Sequence, residues 1–139
     1  MSYAGDLSPQ QAWAKLEAGA ILVDVRTEGE WAHIGIPDTT SAGERRNDPL
    51  FIQWNLAGGV PNPQFVEQLR QQAPQDTGTE LVFLCRSGAR SIAAANAATE
   101  AGYTSYNVLE GFEGEPDQYG DRTVNGWKNR GLPTNLGKS

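Results

Sequence analysis

Glu80-Leu81-Val82-Phe83-Leu84-Cys85-Arg86-Ser87-Gly88-Ala89-Arg90-Ser91 decides the fold of this chain. An apolar run of strand length ends abruptly in polar and glycine residues, and an alanine-rich helical stretch from Arg90 to Ala101, stopped by Gly102, follows at once. A strand that turns directly into a helix is half of a βαβ unit, and the other half is Ser105 to Leu109, the next strand.

The same alternation extends upstream. Asn62-Pro63 begins a helix with Phe65, Val66 and Leu69 on one face, and Leu50-Phe51-Ile52-Gln53-Trp54 reads as the strand before it. Gly35 to Pro49, rich in Gly, Asp, Thr and Ser, is a long loop. Before it, Thr27 to Glu30 forms a capping box for a short helix through Trp31, and Ile21 to Val25 is a buried strand. Ser8-Pro9-Gln10-Gln11 is a second capping box, opening a helix that turns Trp13 and Leu16 inward and ends at Gly19. Alternating strands and helices predict an α/β fold with a central, mostly parallel sheet of about five strands and helices on both faces. Residues 1–139 form one domain on this reading, since a single core remains efficient up to roughly 250 residues. Residues 114–139 are an irregular tail that wraps it, anchored by Trp127 and Leu132.

Composition narrows the function. A formal charge of −6 argues against nucleic acid or an anionic membrane as partner, so an anionic substrate has to be caught by a local positive site. The opening Met-Ser-Tyr-Ala-Gly-Asp lacks a signal-peptide pattern and no apolar run reaches the roughly 20 residues of a membrane span, which predicts a cytoplasmic protein. One cysteine and one histidine leave no internal disulfide, no CxxC redox pair and no Cys/His zinc site, and no cofactor is called for.

A solitary cysteine ordinarily packs as a small apolar side chain. Cys85 is placed differently: ligands of open α/β sheets sit beyond the carboxyl ends of strands, and Cys85 follows Leu84 there. The loop Cys85-Arg86-Ser87-Gly88-Ala89-Arg90 brings successive backbone N–H groups and a helix N-terminus together as an anion cradle. That field favours thiolate over thiol, and Arg86 and Arg90 add positive charge. Gly88 is free to take positive φ if the turn requires it. The candidate site is therefore Cys85 as nucleophile, with Arg86, Ser87, Gly88, Ala89 and Arg90 binding the substrate.

Cys85-Arg86-Ser87-Gly88-Ala89-Arg90-Ser91 closely resembles the CxSGxRS active loop of single-domain rhodanese-like sulfurtransferases. Asp24-Val25-Arg26 with Glu30-Trp31, Leu109-Glu110-Gly111-Phe112, and Gly126-Trp127 near Gly131-Leu132-Pro133 follow in the family's order. Ala32-His33-Ile34-Gly35-Ile36-Pro37-Asp38 departs from the relatives' Gly-His-Ile-Pro-Gly-Ala. The resemblance implies a thiosulfate sulfurtransferase: a small anionic donor passes a sulfane sulfur to Cys85, and the persulfide is discharged to cyanide or to a thiol, that of an acceptor protein included.

Two alternatives stand beside it. Protein-tyrosine phosphatases and arsenate reductases of related fold also set Cys and Arg around a cradle, but the phosphatase spacing is C-x5-R, whereas Cys85 and Arg90 give C-x4-R and Ser91 occupies the next position. A shorter loop suits one sulfur atom better than a tetrahedral phosphate. A non-catalytic binding module is the other alternative, opposed by Cys85 and both arginines together. Elsewhere, Asp24 and Arg26 read as structural, Arg26 pairing with Glu28 or Glu30; His33 reads as a surface residue, Arg45 and Arg46 as solvated charges, and the four scattered tryptophans as core.

Overall fold

The structure, a computed structural model, describes residues 3–73 and 78–135. Its elements in chain order are β1 (Gly5–Leu7), α1 (Pro9–Glu17), β2 (Ile21–Asp24), α2 (Glu28–His33), β3 (Ile36–Pro37), β4 (Leu50–Phe51), α3 (Phe65–Gln72), β5 (Glu80–Leu84), α4 (Ala89–Glu100), β6 (Thr104–Val108) and β7 (Thr134–Asn135). Five strands form a parallel sheet in the order β1-β6-β5-β2-β4, with β5 at its centre.

Alternation along the inner strands distributes the core between the two faces of the sheet. Ile21 and Val23 on β2 and Leu81 and Phe83 on β5 meet Phe65 and Leu69 of α3 and Ala94, Ala95 and Ala98 of α4. Leu22, Val82 and Leu84 point the other way, against Ala12 and Leu16 of α1, Phe112 and Trp127. The alanines of α4 let that helix lie close on the sheet, and each fully buried Leu, Val or Phe contributes about 1.5–3 kcal/mol. Cys85 belongs to the α3/α4 side.

Both capping boxes form, at Ser8 with Gln11 and at Thr27 with Glu30. The strand expected over 50–54 stops at Phe51, because Trp54 donates to Val25 O and then accepts from Asn62 N–H, turning the chain back at an isolated bridge between Asn55 and Pro61. Helix α3 begins at Phe65 rather than at Pro63: Asn62 Oδ1 accepts from Gln64 N–H (3.0 Å), so this Asn-Pro pair belongs to the turn that precedes the helix.

Two short pairings escape sequence patterning. β1 adds an outer parallel strand beside β6, with Asp6 opposite Asn107. The tail, expected to be irregular, carries β7, which pairs antiparallel with β3 inside the expected loop 35–49. Trp127, fully buried, donates its indole N–H to Pro133 O (2.8 Å) and meets Trp13 edge-on at 5.8 Å, holding the described part of the tail to the domain. Residues 136–139 of that tail lie outside the described residues.

Candidate active site

The loop from Cys85 to Gly88 leaves the central strand and enters α4, whose first residue is Ala89. Gly88 is the residue before the helix, with φ +107°, and a Cβ there would stand 2.3 Å from Leu109 O. The segment after β6 grips the loop from outside. Phe112 N–H donates to Cys85 O (2.7 Å), and Glu113 and Gly114 N–H donate to Arg86 O (2.9 and 3.1 Å). A Cβ on Gly111 would come within 2.6 Å of the Arg86 carbonyl and Ser87 N, so glycines on both sides allow this approach.

Within the loop, Gly88 N–H donates to Cys85 Sγ at 3.1 Å. Ser91 Oγ lies 3.2 Å from the same sulfur and also bonds Asn107 Oδ1 on β6. The cysteine is 1% exposed, so its sulfur is buried rather than presented on an open surface.

The two loop arginines carry carboxylate partners. Arg90 makes a bidentate pair with Glu30, Nη1 to Oε1 at 2.7 Å and Nη2 to Oε2 at 2.9 Å, and Arg86 Nε donates to Glu113 Oε2 at 2.9 Å. Arg86 remains half-exposed, while Arg90 and Glu30 are mostly covered. Burial pushes the Glu30 carboxyl up, but the Arg90 bond, the Thr27 N–H and the nearby Arg90 and Arg26 charges outweigh it and hold the group below its ordinary range. Glu30 in turn drives Arg90 further toward its charged form, against the effect of burial, and the nearby Cys85 and Asp24 side chains add to this.

Two clefts open beside these pairs. One of ≈ 570 Å³ is lined by Thr27, Gly29, Gln53, Asn55 and Arg90 among others; a second of ≈ 340 Å³ is lined by Thr27, Gly29, Glu30, His33, Arg86 and Glu113. The start of α2 divides them, one arginine facing each, and Cys85 lines neither.

Every residue expected at the site, Cys85 and Arg86 through Arg90, lies on this one loop and the first turn of α4. Arg26 pairs differently from expectation: it holds Asp24 through Nε (3.0 and 3.1 Å) and Nη2 (2.7 Å), donates to Gly35 O, and lies 4.1 Å from the Phe112 ring centroid. Both members of that pair are fully buried, and Glu30 is thereby left to Arg90. His33 is exposed at the rim of the smaller cleft, and Arg46 bonds Gly43 O within its own loop.

Glu113, Ser91 and Asn107 were not singled out from sequence as site residues. Asn107 did carry a signal, as an amide in a strand of otherwise buried character, because a buried amide demands partners. Glu113 carried none, since its meeting with Arg86 depends on how the segment after β6 folds over the loop.

The Rhodanese-like domain family model matches residues 8–114 of the chain. An uncharacterized protein of Rickettsia rickettsii is 38% identical over 115 residues, covering 82% of this chain and 81% of that protein. The thiosulfate:glutathione sulfurtransferase of Saccharomyces cerevisiae is 27% identical over 101 residues, covering 70% of this chain and 64% of its own. Among solved structures, the crystal structure of Rv0390 from M. tuberculosis superposes with a TM-score of 0.89 at 46% identity, covering 98% of this chain and all of that one.

Proposed function

The chain belongs to the rhodanese-like domain family, and on that premise we propose that it is a sulfurtransferase carrying sulfane sulfur on Cys85 as a persulfide. The observation that supports this most directly is the sulfur at the end of β5, receiving the Gly88 N–H at 3.1 Å and lying 3.2 Å from the Ser91 hydroxyl. The Gly88 N–H, fixed by the loop beside one sulfur atom, stabilises negative charge there without reorganising during reaction.

With thiosulfate as donor, the Cys85 thiolate attacks the outer sulfur. An S–S bond forms at Sγ, the bond to the sulfite sulfur breaks, and sulfite departs with its electron pair. Cyanide or a thiolate then attacks the terminal sulfur, giving thiocyanate or a new persulfide and restoring the thiolate. Arg86, the more exposed arginine, attracts the anionic donor on a protein of net charge −6. Arg90 sits beside the sulfur with its charge held by Glu30. The C-x4-R spacing favours sulfur over phosphate in the cradle.

The test is mass measurement after incubation with thiosulfate. The wild-type protein gains one sulfur on Cys85, cyanide removes it, Cys85→Ser gains none while keeping its melting temperature, and aryl phosphates are not hydrolysed. Absence of a cyanide-sensitive adduct on a folded wild-type protein refutes the assignment, and efficient phosphate hydrolysis replaces it with the phosphatase reading.

A further inference from the structure

A line of polar groups runs from the thiol through the core to the outer strand of the sheet. Ser91, in the first turn of α4, and Asn107, on β6, are both fully buried. Ser91 Oγ lies 3.2 Å from Cys85 Sγ, 3.2 Å from Gly88 O and in hydrogen-bond contact with Asn107 Oδ1. Asn107 Nδ2 donates to Asp6 Oδ1 at 2.9 Å, and Asp6 is an exposed residue of β1 that also accepts from the Tyr3 hydroxyl. The carboxylate of Asp6 only accepts, so it fixes the orientation of the amide and turns its oxygen toward Ser91.

A serine hydroxyl has one proton. Gly88 O and Asn107 Oδ1 are acceptors at all times, whereas Cys85 Sγ becomes a strong acceptor only when it is ionised. A hydrogen bond to a charged acceptor is about twice as strong as one between neutral groups, so the thiolate outcompetes the amide for that proton.

We propose that Ser91 is a positioning residue for the nucleophile, with Asn107 and Asp6 setting its resting orientation. While Cys85 is a thiol, the Ser91 hydroxyl donates to Asn107 Oδ1 and its lone pairs face the S–H. When the thiol gives its proton to solvent, the hydroxyl rotates about Cβ–Oγ and donates to Sγ; no other bond is made or broken. Asn107 thus favours the resting thiol and Ser91 the reactive thiolate. The inference rests on Cys85 being the nucleophile of the proposed sulfurtransferase.

Other charges around the loop remain in place throughout: Arg90, which interacts with Cys85, and Arg86, with Glu30 of α2 and Glu113 beyond β6 pairing these arginines, and the buried Asp24–Arg26 pair at the end of β2. Opposite displacements by Ser91 and Asn107 variants therefore report the hydroxyl itself.

The experiment is the rate of Cys85 alkylation by iodoacetamide, an uncharged reagent, measured across pH; the chain has one cysteine, so no other thiol contributes. Ser91→Ala moves the profile to higher pH by about one to two units, the worth of a charge-assisted hydrogen bond. Ser91→Thr, which keeps the hydroxyl, restores the wild-type profile. Asn107→Leu moves it to lower pH by roughly half a unit, since one neutral competitor is removed.

Because Asn107 is buried, the exposed Asp6 supplies an arm that does not threaten folding. Asp6→Asn removes the charge and keeps an acceptor; Asp6→Ala removes both and frees the Asn107 amide to turn, so its profile lies below that of Asp6→Asn by a few tenths of a unit. An unchanged profile in Ser91→Ala, an Asn107→Leu shift in the same direction as Ser91→Ala, or coincidence of the two Asp6 variants overturns the inference. Alkylation reads the state of the thiol and needs no sulfur donor. Its pattern can therefore fail in a protein that still loads persulfide, and persulfide loading can fail where the pattern holds.

Discussion

Gly88→Ala probes the loop at its tightest point, and Gly102→Ala is its internal control. The two glycines have nearly the same backbone, φ +107° and +102°, but a Cβ on Gly88 would lie 2.3 Å from Leu109 O and 3.2 Å from Leu109 C, whereas one on Gly102 has no heavy atom within 4 Å. Forcing a side chain into this φ region costs about 1–3 kcal/mol in either place. The gain from a stiffer unfolded chain, about 0.4–1 kcal/mol, is common to both and cancels in the comparison. Only Gly88→Ala also has to displace backbone, for about 1–3 kcal/mol more. At about 3–4 °C per kcal/mol for a chain of this size, and before the shared unfolded-chain gain of about 1–4 °C is subtracted from each, Gly102→Ala lowers the melting temperature by about 3–12 °C and Gly88→Ala by about 6–24 °C. Moving residue 88 away from Leu109 also draws its N–H off the Cys85 sulfur, so persulfide loading from thiosulfate falls in Gly88→Ala and is kept in Gly102→Ala. Thermal melts and mass spectra of the two variants side by side make the measurement. Equal losses of melting temperature, or wild-type loading by Gly88→Ala, would refute the claim that contact with the segment after β6 sets the shape of the loop.

Two further outcomes follow from ion pairs. Asp24→Asn leaves the Arg26 guanidinium charged and fully buried without its counter-ion, and is expected to cost about 3–5 kcal/mol in urea unfolding; a loss below about 1 kcal/mol would show that the pair is dispensable. Glu30 is held below its ordinary range, so the stability it confers is complete above the titration of an unfolded glutamate, about pH 4.3, and disappears as pH falls through the folded value. Urea midpoints taken down a pH series should drop more steeply for the wild type than for Glu30→Gln, and parallel curves would remove Glu30 from the acid response.

Patterns that arise within a few residues were legible in the sequence. The apolar run 81–84 followed by Cys85, two arginines and a glycine located the strand, the turn and the helix start, because strand length, positive-φ glycine and alanine-rich helix are all local preferences. Both capping boxes were likewise settled by side chains three residues apart. The expected site residues, being consecutive, occupy the turn after β5 and the first turn of α4 whatever their individual roles.

Tertiary structure alone decided which distant groups meet that loop. The strands β1, β3 and β7 are two or three residues long, too short for any period, and exist only because β6 and each other offer partners. Arg90 finds Glu30 sixty residues away, and Arg86 finds Glu113 across the turn after β6, so the charge available to an anion depends on sheet order rather than on the loop's own composition. Asn107 reaches Ser91 because β6 lies beside β5, which delivers the sulfur, and Asp6 reaches Asn107 because β1 extends the sheet in register. Hydrogen-bond partners are chosen by proximity in the fold, and a sequence encodes which groups need partners without encoding which ones they will find.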